Sequence, residues 1–328
     1  MDTASTAPPA RSSAISSMTA GIACGIGAGA LWGLVFLAPQ LVREFSPLQL
    51  TVGRYLAYGL IALLLIAPRW RSLVAHIERR QWWSLIWLAL AGNTLYYVLL
   101  CSAVQTGGIA MTSLIIGFLP VAVTIIGSRD HGAVPLRKLL PSLLLCALGA
   151  VCIGWQAMAH SGGVSAARPL FGLVCAIGAL ASWTAYAIGN ARCLARLPQL
   201  SAQDWNLLMG LVTGAQSLLL LPVALALGSA SHSVEAWARF GTVSGGVAIV
   251  ASIAGNALWN RMSRLLPLTL VGQMILFETL FALLYGWLWE RRWPAPVELM
   301  ALCLVVLSVL SCLGAHRVRD IPVVCADP

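Results

Sequence analysis

The sequence predicts an all-α polytopic membrane protein with ten transmembrane helices, arranged as two inverted five-helix repeats. The first observation is composition: of 328 residues, 59% are hydrophobic and 9% are charged, far from the usage of soluble domains. The second is length, because about ten apolar runs of roughly 20 residues fill the chain, and each can cross the hydrocarbon as a helix. The third is that the second five runs echo the first five.

Two pairs of short motifs reveal the duplication. The third apolar run contains AGNTLY at residues 91–96, and the eighth contains AGNALW at residues 254–259. The first run contains ALWG at residues 30–33, and the sixth contains ASWT at residues 181–184. A unit with an odd number of spans inserts its second copy upside down. Inverted repeats of this kind build secondary transporters, with the binding site near the bilayer midplane where the copies meet.

Apolar continuity and local start signals give the spans in order. The second span begins at Ser46, Pro47 and Gln49, which offer an N-cap, a proline in the first turn and a capping box. Ser201 begins the seventh span in a similar way. We predict spans at residues 19–39, 47–67, 82–104, 107–127, 139–159, 170–191, 203–227, 241–264, 268–289 and 296–315.

The spans divide the chain into two repeats with short tails. Residues 1–18 are rich in Ala, Ser, Thr and Pro, a composition that predicts a disordered cytosolic tail. Residues 19–160 form the first five-helix repeat, and residues 169–316 form the second. The loop near residues 160–169 is the predicted hinge between the halves, and residues 317–328 are predicted to be a second cytosolic tail.

Basic residues in the connections predict the orientation. With both termini cytoplasmic, the cytoplasmic segments carry fourteen Lys and Arg residues, the opposite segments carry five, and Arg54 lies within a span. The net charge of +9 is therefore an orientation signal. We expect the lipid bilayer as the surrounding partner and no nucleic-acid partner.

These motifs resemble those of the drug/metabolite transporter superfamily. The resemblance rests on the two five-span halves, on Trp32 and Trp183 near the middle of the first span of each half, and on Ser46 and Pro47 followed by Arg54. Within the superfamily the chain is similar to the EamA family, and most similar to the YddG-type bacterial exporters. The resemblance implies a ten-helix bundle in which spans 1, 3, 4, 6, 8 and 9 surround a central cavity, with spans 5 and 10 at the periphery.

The resemblance also implies a function. YddG-type exporters move neutral amino acids, aromatic ones included (Phe, Trp and Tyr, also Thr and Met), out across the bacterial inner membrane. We therefore expect a multi-pass inner-membrane exporter that works by alternating access as a monomer, with an amino acid as substrate and no cofactor. Transport is either coupled to protons or proceeds by facilitated diffusion. The alternative function is export of other small metabolites or drugs by the same superfamily.

Aromatic and amide side chains concentrate in the spans that are predicted to line the cavity. Flat aromatic faces suit aromatic and neutral amino acids, and amides can hydrogen-bond an amino or carboxyl group. Ordinary packing within the membrane is the alternative explanation for each of them. The candidate substrate-binding residues are Trp32, Tyr96, Tyr97, Trp183, Tyr186, Asn190, Trp259, Asn260 and Gln273.

Glu278, Arg54 and Pro120 are candidates for coupling or gating. Glu278 lies about 16 Å into its predicted helix, where a charge is costly and usually functional. It either carries a coupled proton, captures a substrate ammonium, or is a structural acid bonded to a neighbouring helix. Arg54 lies about 12 Å into the second span; it either reaches outward to the interface, binds a substrate carboxylate, or pairs with Glu278. Pro120 can kink the fourth span toward the cavity.

Other function classes lack their motifs. All five histidines lie in predicted loops or at span ends, and neither a His-Glu-x-x-His metal motif nor a phosphate-binding loop is present. The sequence therefore predicts no metal site, no ATPase and no enzyme. Ser, Thr and Asn are too sparse along any one span for the continuous polar pore of a channel.

Overall fold

The computed structural model describes residues 10–75, 77–127, 136–159, 167–197, 200–228, 231–265 and 268–317. Within these ranges the regular secondary structure is helical, as the sequence predicts. Most of the predicted hinge near 160–169 and of the predicted tail 317–328 lies outside the described residues.

The first half contains seven described helical elements and two irregular helical joints. The first joint is a 3-10 turn, Ala67–Arg69, and the second is a π-helical segment, Leu90–Thr94. The helices are α1 (Ala10–Leu41), α2 (Pro47–Ile66), α3 (Trp70–Val74), α4 (Arg79–Ala89), α5 (Leu95–Ile116), α6 (Leu119–Gly127) and α7 (Leu136–Ala159).

The second half has a comparable course. A second π-helical segment, Ala248–Gly255, joins α10 to α11, at the place that corresponds by motif to the first. The helices are α8 (Ala167–Ala195), α9 (Ala202–Leu227), α10 (Val234–Val247), α11 (Asn256–Leu265), α12 (Leu268–Glu290) and α13 (Pro296–Arg317).

Six helical stretches of the described chain are long and apolar enough to cross a membrane. The chain is therefore a polytopic helical membrane protein, and the count of ten spans stays a prediction. Shorter apolar stretches, Leu140–Gly149 and Pro296–Ser311, lie in α7 and α13. The six stretches are Met18–Leu41, Pro47–Val74, Arg79–Ile116, Ala167–Leu194, Ala202–Leu227 and Val234–Ser263.

Local sequence sets the helix starts. Ser46 caps α2 in a complete capping box, accepting a hydrogen bond from the Gln49 amide while the Gln49 side chain accepts one from the Ser46 amide. Ser201 caps α9 by accepting from the amide of Asp204. α1 differs from the prediction: it begins at Ala10, so helical backbone extends into the segment expected to be a disordered tail.

The region between the third and fourth predicted spans also differs in detail. Gly108 has φ +86°, a conformation that a residue with a side chain rarely adopts, and it interrupts α5 slightly beyond the predicted break at 104–107. The helix stops again at Gly117 and Phe118, before α6 starts at Leu119. Pro120 therefore lies in the first turn of a new helix, where its missing N–H costs nothing. The chain thus breaks just before Pro120, and a role of this proline in gating stays a prediction.

Helices from the two halves pack against each other in pairs. α1 packs against α12, α2 against α9, α5 against α8, and α7 against α13. Glycines allow the closest approaches: a Cβ on Gly29 would lie 2.9 Å from the Glu278 backbone nitrogen, and one on Gly59 would lie 2.6 Å from the Gly214 Cα. Small residues at helix crossings are typical of membrane bundles, because they let backbones approach closely.

Candidate functional site

The two π-helical segments coincide with the repeated motif of the sequence. The first, Leu90–Thr94, contains the AGN of the first half, and the second, Ala248–Gly255, ends within the AGN of the second half. A π-helical turn shifts the hydrogen-bond register and frees carbonyl groups, and such turns are frequent at functional sites. The duplication therefore extends from residue identity to this irregular backbone.

Each π-helical segment accepts a hydrogen bond from the first helix of the opposite half. The Trp32 indole N–H in α1 donates to the Ala251 carbonyl at 3.0 Å. The Ser182 hydroxyl in α8 donates to the Ala91 carbonyl at 2.7 Å. Trp32 and Ser182 lie at adjacent positions of the matched ALWG and ASWT motifs. These reciprocal bonds tie the halves together near the middle of the bundle.

Trp32 also stacks on a predicted site residue of the other half. Its ring lies 5.0 Å from the ring of Trp259, with 36° between the planes, and both side chains are half-buried. Gly255 makes room for the indole, because a Cβ there would lie 2.5 Å from the Trp32 Nε1. The structure thus brings together two predicted binding residues from opposite repeats.

Trp183 and Tyr186 form the corresponding aromatic pair on α8. Their ring centroids are 5.7 Å apart in an edge-to-face arrangement, and both rings are half-buried. Tyr186 lies directly over Gly92 in the first π-helical segment, where any side chain would collide with the ring. Each repeat therefore sets aromatic rings of its first helix against the glycine of the other repeat's π-helical segment.

Arg54 points into the bundle and not toward the interface. It is 7% exposed, so the alternative that its guanidinium reaches outward to the interface does not hold in this structure. Its Cζ lies 4.3 Å from the centre of the Tyr97 ring and 5.0 Å from that of Tyr55, and its Nη2 donates to the Ser252 hydroxyl at 3.2 Å. We call Arg54, Tyr55, Tyr97 and Ser252 the arginine cluster.

Glu278 lies deep among the helices and yet keeps part of its surface accessible. It is close enough to Arg54 and Tyr96 for through-space electrostatic interaction. It forms no ion pair with Arg54 and no hydrogen bond with any described residue. The Arg54–Glu278 pair, one of the alternatives for Arg54, is therefore absent from this conformation. The alternative of a structural acid bonded to a neighbouring helix also finds no partner in the described part of the chain.

Tyr96 and Tyr97, both on α5, differ in burial and in which charged residue they lie beside. Tyr96 is 8% exposed, and Tyr97 is completely buried within the arginine cluster. The Tyr97 hydroxyl has no oxygen or nitrogen partner among the described residues, and the Cys101 thiol is its polar neighbour. Tyr97 thus contacts Arg54 directly, while Tyr96 lies nearer to Glu278.

The remaining predicted residues are spread more widely. Asn190 accepts a hydrogen bond from the Trp205 indole at 2.7 Å and joins α8 to α9, away from the arginine cluster. Asn260 is half-buried on α11 next to Trp259. Gln273 lies on α12, but its side chain is outside the described part of the structure. Pro120 is buried at the start of α6.

Sequence reasoning missed several partners of these residues. Tyr55 follows Arg54 directly, and Ser182 precedes Trp183, so adjacency was a usable signal for both. Ser252 and Asn206 gave no such signal. Asn206 accepts a hydrogen bond from Asn256 at 3.0 Å, which links the second AGN motif to α9. Among the described residues, no group of three or more His, Cys, Asp or Glu side chains could hold a metal ion.

Comparisons with known proteins agree with the duplicated architecture. A model of the EamA-like transporter family matches residues 19–155 and 170–313, close to the two predicted repeats. The inner membrane protein YtfF of Escherichia coli (strain K12) is 33% identical over 309 residues, or 91% of this chain and 96% of that protein. A solved crystal structure shares the fold with a TM-score of 0.61 at 20% identity, over 92% of this chain and 99% of the other. This chain belongs to the EamA-like transporter family of the drug/metabolite transporter superfamily, and is a multi-pass membrane transporter.

Proposed function

We propose that this transporter exports neutral amino acids, aromatic ones included, across the bacterial inner membrane by alternating access. The proposal extends the family assignment to a substrate class and a direction. The inner-membrane location is supported by the name of the Escherichia coli relative and by the excess of basic residues in the segments predicted to be cytoplasmic. Both termini are then cytoplasmic, and the protein acts as a monomer without a cofactor.

The observation that carries the proposal is the chemistry of the side chains that meet between the repeats. Among the described residues, the Arg54 guanidinium and the Glu278 carboxylate interact through space there but do not pair. Aromatic rings border the same region, including Tyr96 and Tyr97. A zwitterion with an apolar side chain matches this set, because its carboxylate, ammonium and side chain have separate complementary partners.

The aromatic pairs add surface for a flat side chain. Trp32 with Trp259 and Trp183 with Tyr186 are half-buried, so parts of their rings remain available to a substrate. In each repeat, an aromatic ring of the first helix contacts the π-helical segment of the opposite repeat. These contacts support a site that the two halves share, as alternating access requires.

Export of other small metabolites or drugs is the second candidate function. The same aromatic surfaces would bind any flat apolar molecule, and only the two charged groups favour an amino acid. The candidates therefore differ in whether both charges of the substrate are needed.

The proposal is tested by uptake into proteoliposomes of the purified protein. Labelled Phe, Trp, Thr and Met should enter in a saturable manner and exchange with unlabelled substrate on the opposite side. Lys and Glu, measured in parallel, should move poorly, because each carries a net charge. If folded protein moves none of the amino acids, the function is the metabolite or drug export described above.

A further inference from the structure

Arg54 has hydrogen-bonding capacity that the described chain does not use. The residue is 7% exposed, and its Nε and Nη1 atoms are buried without any hydrogen-bond partner. A guanidinium carries five N–H donors, and here the Ser252 hydroxyl takes one of them. Burying unsatisfied donors on a charged group is costly. The unpartnered donors of Arg54 therefore indicate a binding site for an anionic group.

The neighbours of Arg54 stabilise its charge without neutralising it. The Tyr97 and Tyr55 rings lie 4.3 and 5.0 Å from its Cζ, and such ring faces attract cations. The Glu278 carboxylate interacts with Arg54 through space but forms no ion pair with it. The Nε and Nη1 donors therefore have no hydrogen-bond partner among the described residues.

We infer that Arg54 is the receptor for the carboxylate of the transported substrate. The inference rests on the proposed function and narrows it. A free carboxylate on the substrate is required for binding, and other residues bind the ammonium group and the side chain of the substrate. The planar fork of arginine matches the two oxygens of a carboxylate, and hydrogen bonds between charged groups are the stronger ones. Arg54 is thus a binding residue that selects acids over amides, esters and amines.

Both π-helical segments lie beside the arginine cluster. Tyr97 follows the first segment closely, and Ser252 lies inside the second. Two of the side chains that contact the guanidinium are therefore on or beside these irregular segments, one in each repeat.

The first test uses the wild-type protein and four related ligands. Unlabelled Phe, 3-phenylpropionate, phenylalaninamide and phenethylamine are compared as inhibitors of labelled Phe counterflow and as stabilisers in thermal unfolding. Phe and 3-phenylpropionate should compete and stabilise, whereas phenylalaninamide and phenethylamine should be at least tenfold weaker. Equal potency of Phe and phenylalaninamide would overturn the inference without any variant being made.

The second test changes the arginine. Arg54→Lys keeps the positive charge but loses the fork, and we expect Phe affinity to fall about 10- to 100-fold, the range for losing hydrogen bonds to a charged group. The preference for Phe over phenylalaninamide should shrink in parallel. Arg239→Lys, at an exposed arginine outside the cluster, is the matched control and should behave as wild type. Unchanged Phe affinity in folded Arg54→Lys protein would overturn the inference.

The outcomes separate this inference from the proposed function. If no neutral amino acid is transported but 3-phenylpropionate or another carboxylate still stabilises the wild-type protein through Arg54, the substrate class is wrong and the carboxylate receptor stands. If Phe is transported and its amide competes equally, the amino-acid function stands and the receptor role fails. Inorganic phosphate is included, and stabilisation by phosphate alone would contradict a carboxylate site.

Discussion

Glu278 is the residue whose surroundings most directly suggest coupling. It lies deep in the bundle, remains partly accessible, and forms no hydrogen bond with any described residue. An acid in this situation can exchange a proton with water or with a substrate ammonium, whereas a structural acid would be held by partners. The position of the group therefore favours a role in the transport cycle.

We expect Glu278→Gln to abolish the effect of a pH gradient on substrate accumulation and to leave counter-exchange in the absence of a gradient measurable. The amide has nearly the same shape but cannot carry the proton. The measurement is uptake of labelled Phe into proteoliposomes with and without an imposed pH gradient. Glu235→Gln, an exposed carboxylate in the first turn of α10, is the control. Retained gradient dependence in folded Glu278→Gln protein would exclude Glu278 as the proton carrier.

Trp183 tests whether the aromatic pairs bind substrate or only pack. Its ring is half-buried and contacts Tyr186 edge to face. We expect Trp183→Ala to reduce Phe transport per folded molecule at least tenfold. Truncating an aromatic side chain that binds a ligand commonly costs about 2 kcal/mol or more of binding free energy. Folded yield, measured by size-exclusion chromatography, should stay near that of Trp155→Ala, a change at a 74%-exposed tryptophan on α7. A collapse of yield with normal transport by the remaining folded protein would support packing.

Sequence reasoning identified the unusual residues but not their partners. Trp32 and Arg54 stand out because an indole in a repeated motif and a charge within a span are visible in one dimension. The Ala251 carbonyl and the Ser252 hydroxyl do not, because they become partners only through the register between helices and through the π-helical turn. The direction of Arg54 stayed undecided for the same reason: position along a helix does not say which neighbour the side chain faces.

At the scale of helices, glycines control how closely the two halves approach. A Cβ on Gly29 of α1 would lie 2.9 Å from backbone atoms of Phe277 and Glu278 in α12. Backbone cannot rotate away as a side chain can, so the helices would have to separate. The space around Gly245 in α10 is open, with nothing within 4 Å of an added Cβ.

We therefore expect Gly29→Ala to destabilise the protein by about 1–3 kcal/mol, the usual range for overpacking, and to lower transport because α12 carries Glu278. Gly245→Ala should be neutral or slightly stabilising, since alanine favours a helix over glycine. Thermal unfolding in detergent and Phe counterflow are the measurements. Equal stability of the two variants would mean that the α1–α12 contact is not as close as the structure has it.

Helix boundaries were predictable where local chemistry decides them. The capping box at Ser46 and the cap at Ser201 were visible because their hydrogen bonds join residues only three positions apart. The break at Gly108 was predicted only approximately, and neither π-helical segment was predicted. These features depend on packing between helices, which overrides the uniform apolar pattern of the sequence.

For the whole molecule, aromatic rings join the two halves at the connection from α1 to α2. Phe45, in the connection from α1 to α2, packs against His232, Trp237 and Phe240 of the second half, with ring centroids 4.2 to 4.9 Å apart. Its carbonyl accepts a hydrogen bond from Gln105 at 3.1 Å. We call this the Phe45 end. The duplication predicted that two halves meet, but it could not predict that they meet through these rings, because such contacts depend on how the helices pack.

An ion pair between Glu44 and Arg239 borders the Phe45 end. The hydrogen bond from Arg239 holds the pKa of Glu44 below its ordinary value. The contribution of the pair is therefore present above the ordinary carboxylate pKa, and is lost only as pH falls through the lowered one. Both groups are substantially exposed, and exposed pairs contribute little. Mild acidification should therefore leave this ion pair intact.

Phe45→Ala should shift the molecule toward a conformation open at the Phe45 end. The substitution removes three ring contacts that join the halves, while the buried backbone around Gln40 and Gln105 stays intact. Hydrogen–deuterium exchange should speed up in peptides covering residues 38–46 and 231–240, with little change in α7, which lies away from this end. Phe171→Ala, at a 55%-exposed phenylalanine on α8, removes a ring of the same size from the surface and should leave exchange unchanged. Equal exchange in the two variants would mean that Phe45 does not close the bundle, and that other contacts between the halves decide which side is open.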